Sequence, residues 1–373
     1  MILPHKTKTL SLRTLMLVLL GTLFINTISA IQNKKSSKPD SLKKVKIAAI
    51  PIINYNPSQG LVIGAMGQGF YKLNAKDTIS PSSSSGIFGM YTTNKTYFVS
   101  LFQRLYFNED KWRGMFAAGF GQMNFQFWQQ LPIEGGTFID FNTNASFALA
   151  RMERKVYKEL YVGLEGVISR AETEYDIPDF FPDSLRYDKR NMNNLGLLLN
   201  FDKREHQMNP YSGFNIAFKN SLYATWLNSG NDFNKTELTY NHYYQINNER
   251  NILATRFKTT IASGDVPFQG QSVVGKDDIR GYTAGKHRNN QVYALQTEYR
   301  WRFYKKFGMV GFAGVASAVN NIKDIPKSEF LPGAGLGFRF LMLPSERINV
   351  GFDIAKGKDD WGLYFRIGES FGR

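Results

Sequence analysis

The sequence predicts an all-β chain: a transmembrane antiparallel β-barrel of sixteen strands with one long extracellular loop. Three observations carry this expectation. From Lys46 onward apolar residues recur with a period of two rather than 3.6, which is the spacing of strands. The two faces also contrast heavily. In Tyr293–Phe303 one face reads Tyr293, Leu295, Thr297, Tyr299, Trp301 and Phe303, and the other Ala294, Gln296, Glu298, Arg300 and Arg302. Lipid outside and water inside would select such a pattern. Finally, beyond the N-terminal region no run reaches the ~18 apolar residues of a membrane-spanning helix.

The first 30 residues read as a signal peptide. Lys6, Lys8 and Arg13 form a basic start, Thr14–Asn26 an apolar stretch too short to span comfortably, and Ala30 a small residue suited to cleavage. Residues 31–45 read as a Lys-rich periplasmic leader, and 46–373 as one outer-membrane barrel domain. Of the net charge of +15, the signal carries three, and six lysines against Asp40 in residues 31–46 carry five more, leaving +7. That remainder lacks the basic stripe that nucleic-acid binding needs, so no nucleic-acid partner is expected. With no cysteine, disulfides and thiolate chemistry are excluded. The four histidines (His5, His206, His242, His287) show no metal-ligand spacing, and neither a metal nor any other cofactor is expected.

The strands are expected near 46–54, 61–72, 85–93, 95–107, 112–123, 137–153, 158–172, 192–202, 213–226, 235–247, 250–263, 291–304, 308–319, 333–342, 346–356 and 361–371. Their average spacing suits transmembrane strands of ~9–11 residues. Several alternate clearly. Val162, Leu164 and Ile168 lie opposite Glu165, and Phe214, Ile216 and Phe218 opposite Asn215 and Lys219. Ile348, Val350, Phe352 and Ile354 oppose Asn349 and Asp353. In the last strand Trp361, Leu363, Phe365, Ile367 and Phe371 share one parity, with Tyr364 and Arg366 on the other. An even strand number puts both termini in the periplasm. The connection between strands eleven and twelve is then the sixth extracellular loop. Asn74–Ser84 and Gln126–Gly136 are further long-loop candidates, but the two do not fit one parity, so one early boundary is expected to be wrong.

That sixth loop contains Val274–Arg288, with Ile279, Arg280, Gly281 and Tyr282 at its centre. Long loops between good strands are more often functional than not. An arginine between an isoleucine, a glycine able to take positive φ and an aromatic looks suited to docking on something acidic. Catalysis is not expected. His242 sits on an apolar parity, and His206 and His287 have no serine partner at a nucleophile elbow. The Gly333–Gly337 run reads as barrel-strand glycine, not a phosphate loop.

Five stretches resemble the barrel domain of the BamA/TamA family, the bacterial surface antigen family of outer-membrane assembly factors. Ile279-Arg280-Gly281-Tyr282 matches its VRGF/Y loop motif, and Gln296-Thr297-Glu298-Tyr299-Arg300 resembles the strand that follows. Phe201-Asp202-Lys203-Arg204 with Pro210-Tyr211-Ser212-Gly213 resembles its D-x-R…P-x-x-G turn. Gly351-Phe352-Asp353 through Gly368-Glu369-Ser370-Phe371 resembles its terminal strands, and Pro51 through Gly64 its first hairpin. The resemblance implies that the loop folds into the lumen and that Arg280 meets an inward-facing acid, with Glu298 at the family position. Where the family carries F-x-D-x-G, this chain reads Phe312-Ala313-Gly314-Val315-Ala316, so Gly314 replaces the acid and Asp353 is the candidate substitute. A pair in a wet lumen would be worth less than a dry one. The competing reading is a solvated Arg280, with Glu298 paired to Arg300 or Arg302. Between Ala30 and Lys46 there is no room for the POTRA modules of the family.

The function so implied is assistance in inserting or assembling outer-membrane proteins through a weak seam between the first and last strands, marked by Pro51, Gly362 and Phe371. Proline and glycine both weaken a ladder, and exposed edges can template a client strand. The partners would be outer-membrane lipid, nascent outer-membrane proteins and other assembly subunits. The alternatives are a porin-like channel and a structural barrel subunit of a larger complex.

Overall fold

In the computed structural model the described residues are 45–56, 60–130, 136–177 and 186–371. The expected signal peptide, nearly all of the expected leader, and residues 372–373 lie outside them. The strands are β1 (Lys46–Asn56), β2 (Gly60–Tyr71), β3 (Ser83–Thr92), β4 (Tyr97–Phe107), β5 (Trp112–Gln130), β6 (Gly136–Tyr157) and β7 (Leu160–Asp176). Next come β8 (Tyr187–Asn191), β9 (Asn194–Asp202), β10 (Gly213–Tyr223), β11 (Phe233–Gln245) and β12 (Asn251–Gly264). Then follow β13 (Ser272–Val273), β14 (Arg288–Asn289), β15 (Gln291–Tyr304), β16 (Phe307–Val319), β17 (Leu331–Leu343), β18 (Ile348–Lys356) and β19 (Trp361–Ile367).

Each long strand pairs antiparallel with the next, a meander in which β12 pairs β15 across the loop. The short β13 and β14 pair only with each other, inside that loop. The sequence expects sixteen strands; the described ladder has seventeen, because the five-residue β8 precedes β9 on the same flank of β7. The period-two chemistry explains the arrangement. Leu295, Tyr299 and Trp301 are exposed on the outer face of β15, while Gln296, Glu298 and Arg300 between them are buried inside.

Several expectations need correction. The misplaced early boundary is the end of the strand expected at 112–123, which runs on to Gln130. Of Asn74–Ser84, Ser83 and Ser84 open β3, and residues 74–82 belong to the connection 72–82 at the end opposite the long loop, beside the turn 108–111. There the Glu109 amide donates to Asp77 (3.0 Å) and the Asp110 amide to Ser80 Oγ (2.7 Å). Of Gln126–Gly136, residues 126–130 belong to β5 and Gly136 to β6, and 131–135 lie outside the described residues. The 19, 22 and 17 residues of β5, β6 and β7 exceed the ~9–11 a membrane needs. On β7 the outward side chains change from exposed Leu164 and Ile168 to Arg170, Glu172, Glu174 and Asp176, which marks the edge of the apolar belt. The halves of β5–β7 nearer the long loop therefore stand beyond that belt.

Ile348, expected to face outward with Val350 and Ile354, is fully buried. It packs with Ala48, Phe70 and Ile367 in a cluster that Val350 also joins. The last strand is also shorter than expected. It ends at Ile367, and Gly368 takes φ +84°, a left-handed conformation that turns the chain away from the ladder. Phe371 is therefore not an outward residue of the last strand: it lies inside, packed on Tyr243 and Ala254.

Between β1 and β19 no backbone register is present among the described residues; β1 pairs β2 and β19 pairs β18. The two meet through side chains. Ala48 and Ile367 share a buried cluster, and Lys46 Nζ reaches Glu346 Oε1 at 2.6 Å on the neighbouring 344–347 turn.

Candidate functional site

The loop from Asp265 to Asn290 folds back against the inner wall. Asp278 shapes its turn by accepting the amides of Gly275 (2.9 Å) and Lys276 (3.1 Å). Val274, Ile279 and Tyr282 are buried against Val292, Ala294, Ala316 and Leu331 of the wall. Each such side chain contributes on the order of 1.5–3 kcal/mol on full burial. Lys258 of the wall binds the Asp277 carboxylate at 2.5 Å, and Arg256 Nη1 donates to the Asp277 carbonyl (2.9 Å).

Arg280 uses every side of its guanidinium. Nη2 donates to Glu298 Oε2 at 2.6 Å, Nη1 to Asp353 Oδ2 at 2.8 Å, and Nε to Gln296 Oε1 at 2.9 Å. The group lies flat over the Phe312 ring, 3.5 Å from its centroid, a favourable cation–π geometry. Arg280 is 5% exposed and both carboxylates 0%. The wet lumen expected from the sequence is thus absent here, and the pair belongs to the dry class in which removing one partner is severe. Glu298 also pairs with Arg300 (2.6 Å), whereas Arg302 pairs with Glu249 (2.9 Å).

Gly281 has φ +104°, and a Cβ there would lie 2.8 Å from the Gly357 amide nitrogen and 2.9 Å from the Lys356 carbonyl carbon. Only glycine lets the loop cross the β18–β19 turn so closely. The Gly281 amide donates to Tyr364 Oη at 3.0 Å. Gly362, on β19, allows that bond: a Cβ at Gly362 would be 2.9 Å from Tyr364 Oη, so the tyrosine folds over the bare backbone. Tyr282 Oη donates to the Pro332 carbonyl (2.6 Å) and accepts from the Lys358 amide (3.0 Å), while the Thr283 amide donates to Asp360 Oδ2 (2.8 Å). His287 packs edge-on to Tyr282 at 5.5 Å, and its burial pulls the imidazole below its ordinary pKa, with Lys286 adding to the shift.

Around Arg280 the chain gathers Arg300, Arg339 and Arg366 against Glu298, Asp353 and Glu369. Asp353 pairs with Arg339, and with Arg366 at 3.1 Å; Glu369 accepts from Arg339 Nε at 2.9 Å. Glu369 and Phe371 reach this network because of the turn at Gly368. Phe371 lies 4.7 Å from Arg256 and 5.8 Å from Arg280, and its carbonyl accepts from Tyr243 Oη.

The structure therefore brings Ile279, Arg280, Gly281, Tyr282, Glu298 and Asp353 together, and Phe371 joins them from the chain end. Pro51 stays apart in β1, opposite Ala65 of β2. Gln296, Phe312, Arg339, Tyr364, Asp360 and Glu369 are contacts to which the sequence assigned no partner, whereas Arg300 was expected as an alternative partner of Glu298 and does pair with it. Inward parity beside Glu298 pointed to Gln296 and Arg300. Nothing local pointed to Glu369, since its position depends on the break at Gly368. Among the described residues no group of three His, Asp or Glu is placed to hold a metal.

The Omp85 superfamily domain matches residues 83–371. No curated protein matches the chain. Among solved structures, the chain is similar to BamA from Haemophilus ducreyi lacking POTRA domains 1–3, at 13% identity and TM-score 0.55, over 94% of this chain and 78% of that one. It is also similar to CdiB from Acinetobacter baumannii (14%, TM-score 0.58, 88% of this chain and 60% of that one). CdiB from Escherichia coli gives 10% identity and TM-score 0.57, over 91% of this chain and 69% of that one. At these identities the structures speak for the barrel fold, and the domain match speaks for the family: the chain belongs to the Omp85 superfamily of Gram-negative outer-membrane barrels.

Proposed function

We propose that this barrel assists the insertion or assembly of outer-membrane proteins at the junction of β1 and β19. The observation that carries the reading is the junction itself. Two neighbouring strands touch by side chains without a described backbone ladder, and β19 is seven residues long against eleven in β1. Unpaired strand edges are templates for another chain, and a client strand adding there would gain main-chain hydrogen bonds by β-augmentation. Residues 1–30 would direct the chain to the periplasm as a cleaved signal, with 31–45 a leader. The clients are nascent outer-membrane proteins, and other assembly subunits are the expected partners.

The test has two arms. Depleting the protein and taking an inventory of the outer membrane should show loss of several barrels. Cysteines at Ala48 and Ile367, joined by a disulfide or a short bifunctional reagent, should reproduce that loss without lowering the amount of this protein. An unchanged inventory after depletion sinks the assembly reading. Normal assembly by the cross-linked protein sinks the junction as its route. A steady anion-selective current in planar bilayers would point instead to a porin-like channel, and recovery only within a larger complex, with assembly intact, to a structural subunit.

A further inference from the structure

Beyond the apolar belt, the extended parts of β5, β6 and β7 face the loop across a cavity of about 220 Å³. That is room for about seven waters at ~30 Å³ each, and it is small beside the ~300–1,000 Å³ of drug-sized pockets. Met123 and Phe141 line it from the wall and Phe268 from the loop, so much of the lining is apolar. Phe268 stands edge-on to Phe141, with ring centroids 5.8 Å apart. No Asp or Glu is among the lining residues described.

Three polar groups in this lining are unmatched. Arg288 donates to the carbonyls of Gly285 (3.1 Å) and Phe268 (3.2 Å) and lies 3.8 Å over the Phe268 ring, yet it meets no carboxylate among the described residues. Burial without a counter-charge pulls its pKa down to about 10. Thr283 is 8% exposed and its hydroxyl has no hydrogen-bond partner among the described residues. Gln269 donates Nε2 to Asp188 Oδ2 (2.9 Å), while its buried Oε1 accepts from nothing described. Buried polar groups are ordinarily satisfied, and each exception calls for an explanation. The set is complementary to one kind of molecule: an anionic group for Arg288, a donor for Gln269 Oε1, and a flat apolar body packed beside the Phe141–Phe268 pair.

We propose that this cavity binds a small aryl carboxylate bearing a hydroxyl donor, with Arg288 on the carboxylate, Gln269 and Thr283 on polar substituents, and Phe141, Phe268 and Met123 on the ring. The site is separate from the Arg280 cluster and from the β1–β19 junction, and it stands whether or not the barrel assembles other proteins. Because one wall is the loop and the other the β5–β7 extension, an occupant would join the two.

The probes are 3-(4-hydroxyphenyl)propanoate and its neutral amide, titrated calorimetrically into the full chain in detergent micelles. The carboxylate should bind saturably and at least tenfold more tightly than the amide. Arg288→Gln should erase that preference. Ala145→Leu, which fills the cavity from the wall without touching the loop's own hydrogen bonds, should weaken the carboxylate at least tenfold. Heat-modifiable gel mobility verifies that each variant is folded. Absence of saturable binding, equal binding of the amide, a preference that survives Arg288→Gln, or undiminished binding by folded Ala145→Leu would each overturn the proposal.

Discussion

Arg280 Nη1 and Asp353 Oδ2 stand 2.8 Å apart across 73 residues of sequence. The contact joins the centre of the loop to β18, and Glu298 of β15 completes it from the other side. Both carboxylates are already served by other arginines: Asp353 by Arg339 and Arg366, Glu298 by Arg300. The loop is thus inserted into a network that holds its own charges. Removing Arg280 leaves two buried carboxylates with fewer partners but not with none.

Arg280→Ala should therefore cost about 3 kcal/mol, the low end of the ~3–5 kcal/mol for breaking a buried pair. The loss should appear as a lowered urea midpoint and as new protease cuts within 274–288. Arg280→Lys should recover little, because an ammonium cannot reach Glu298, Asp353 and Gln296 at once or lie flat on Phe312. Full stability in the lysine variant would show that charge alone, not the planar fork, holds the loop.

Gly281→Ala should release the loop while leaving the ladder folded. A non-glycine residue at such a φ costs about 1–3 kcal/mol, and here the methyl would also press on the backbone of residues 356 and 357. Protease access to 274–288 should rise, with the heat-modifiable band of the barrel unchanged. If access stays at the wild-type level, the close crossing over the β18–β19 turn is not what fixes the loop.

Phe371→Ala should destabilise by about 3–5 kcal/mol, as expected for emptying a buried phenylalanine site. The ring lies among Tyr243, Ala254 and Arg256, inside the barrel. An outward Phe371 would cost far less on removal. Thermal unfolding of the variant in detergent distinguishes the two.

Acidification should loosen the loop through His287. Its folded pKa lies below the ordinary ~6.5, chiefly because burial penalises the imidazolium and secondarily because Lys286 is near. The stability tied to neutral His287 is therefore complete above about 6.5 and is lost as pH falls through the depressed folded value. Protease cutting of 274–288 should rise between pH 7.5 and 5, and His287→Gln should flatten the profile. An equally steep profile in the glutamine variant would assign the effect to another group.

Much of the barrel is legible in the chain because each strand writes its two environments in alternate letters. Leu295 and Tyr299 face outward and Gln296 and Glu298 inward because a pleat admits no other arrangement. Breaks in that alternation are not written this way. The left-handed Gly368 that carries Glu369 and Phe371 into the interior breaks the alternation without changing composition. Gly362 reads as a ladder-weakening glycine until Tyr364 is seen lying over it.

The sequence alone determined the strand periodicity, the long loop with Arg280 at its centre, and Glu298 as an inward acid. These are local: they follow from one residue's chemistry and its parity in its own strand. Tertiary structure decided that Arg280 is shared between Glu298 and Asp353, that Phe312 lies beneath it, and that the chain end turns inward to Tyr243. Those outcomes depend on which strands stand opposite across the interior and on positive-φ turns. The physical reason is distance along the chain. A dry arginine site needs groups from β15, β16 and β18 within 4 Å of one guanidinium, and only the pairing of β15 through β18 together with the folding back of the loop brings them there.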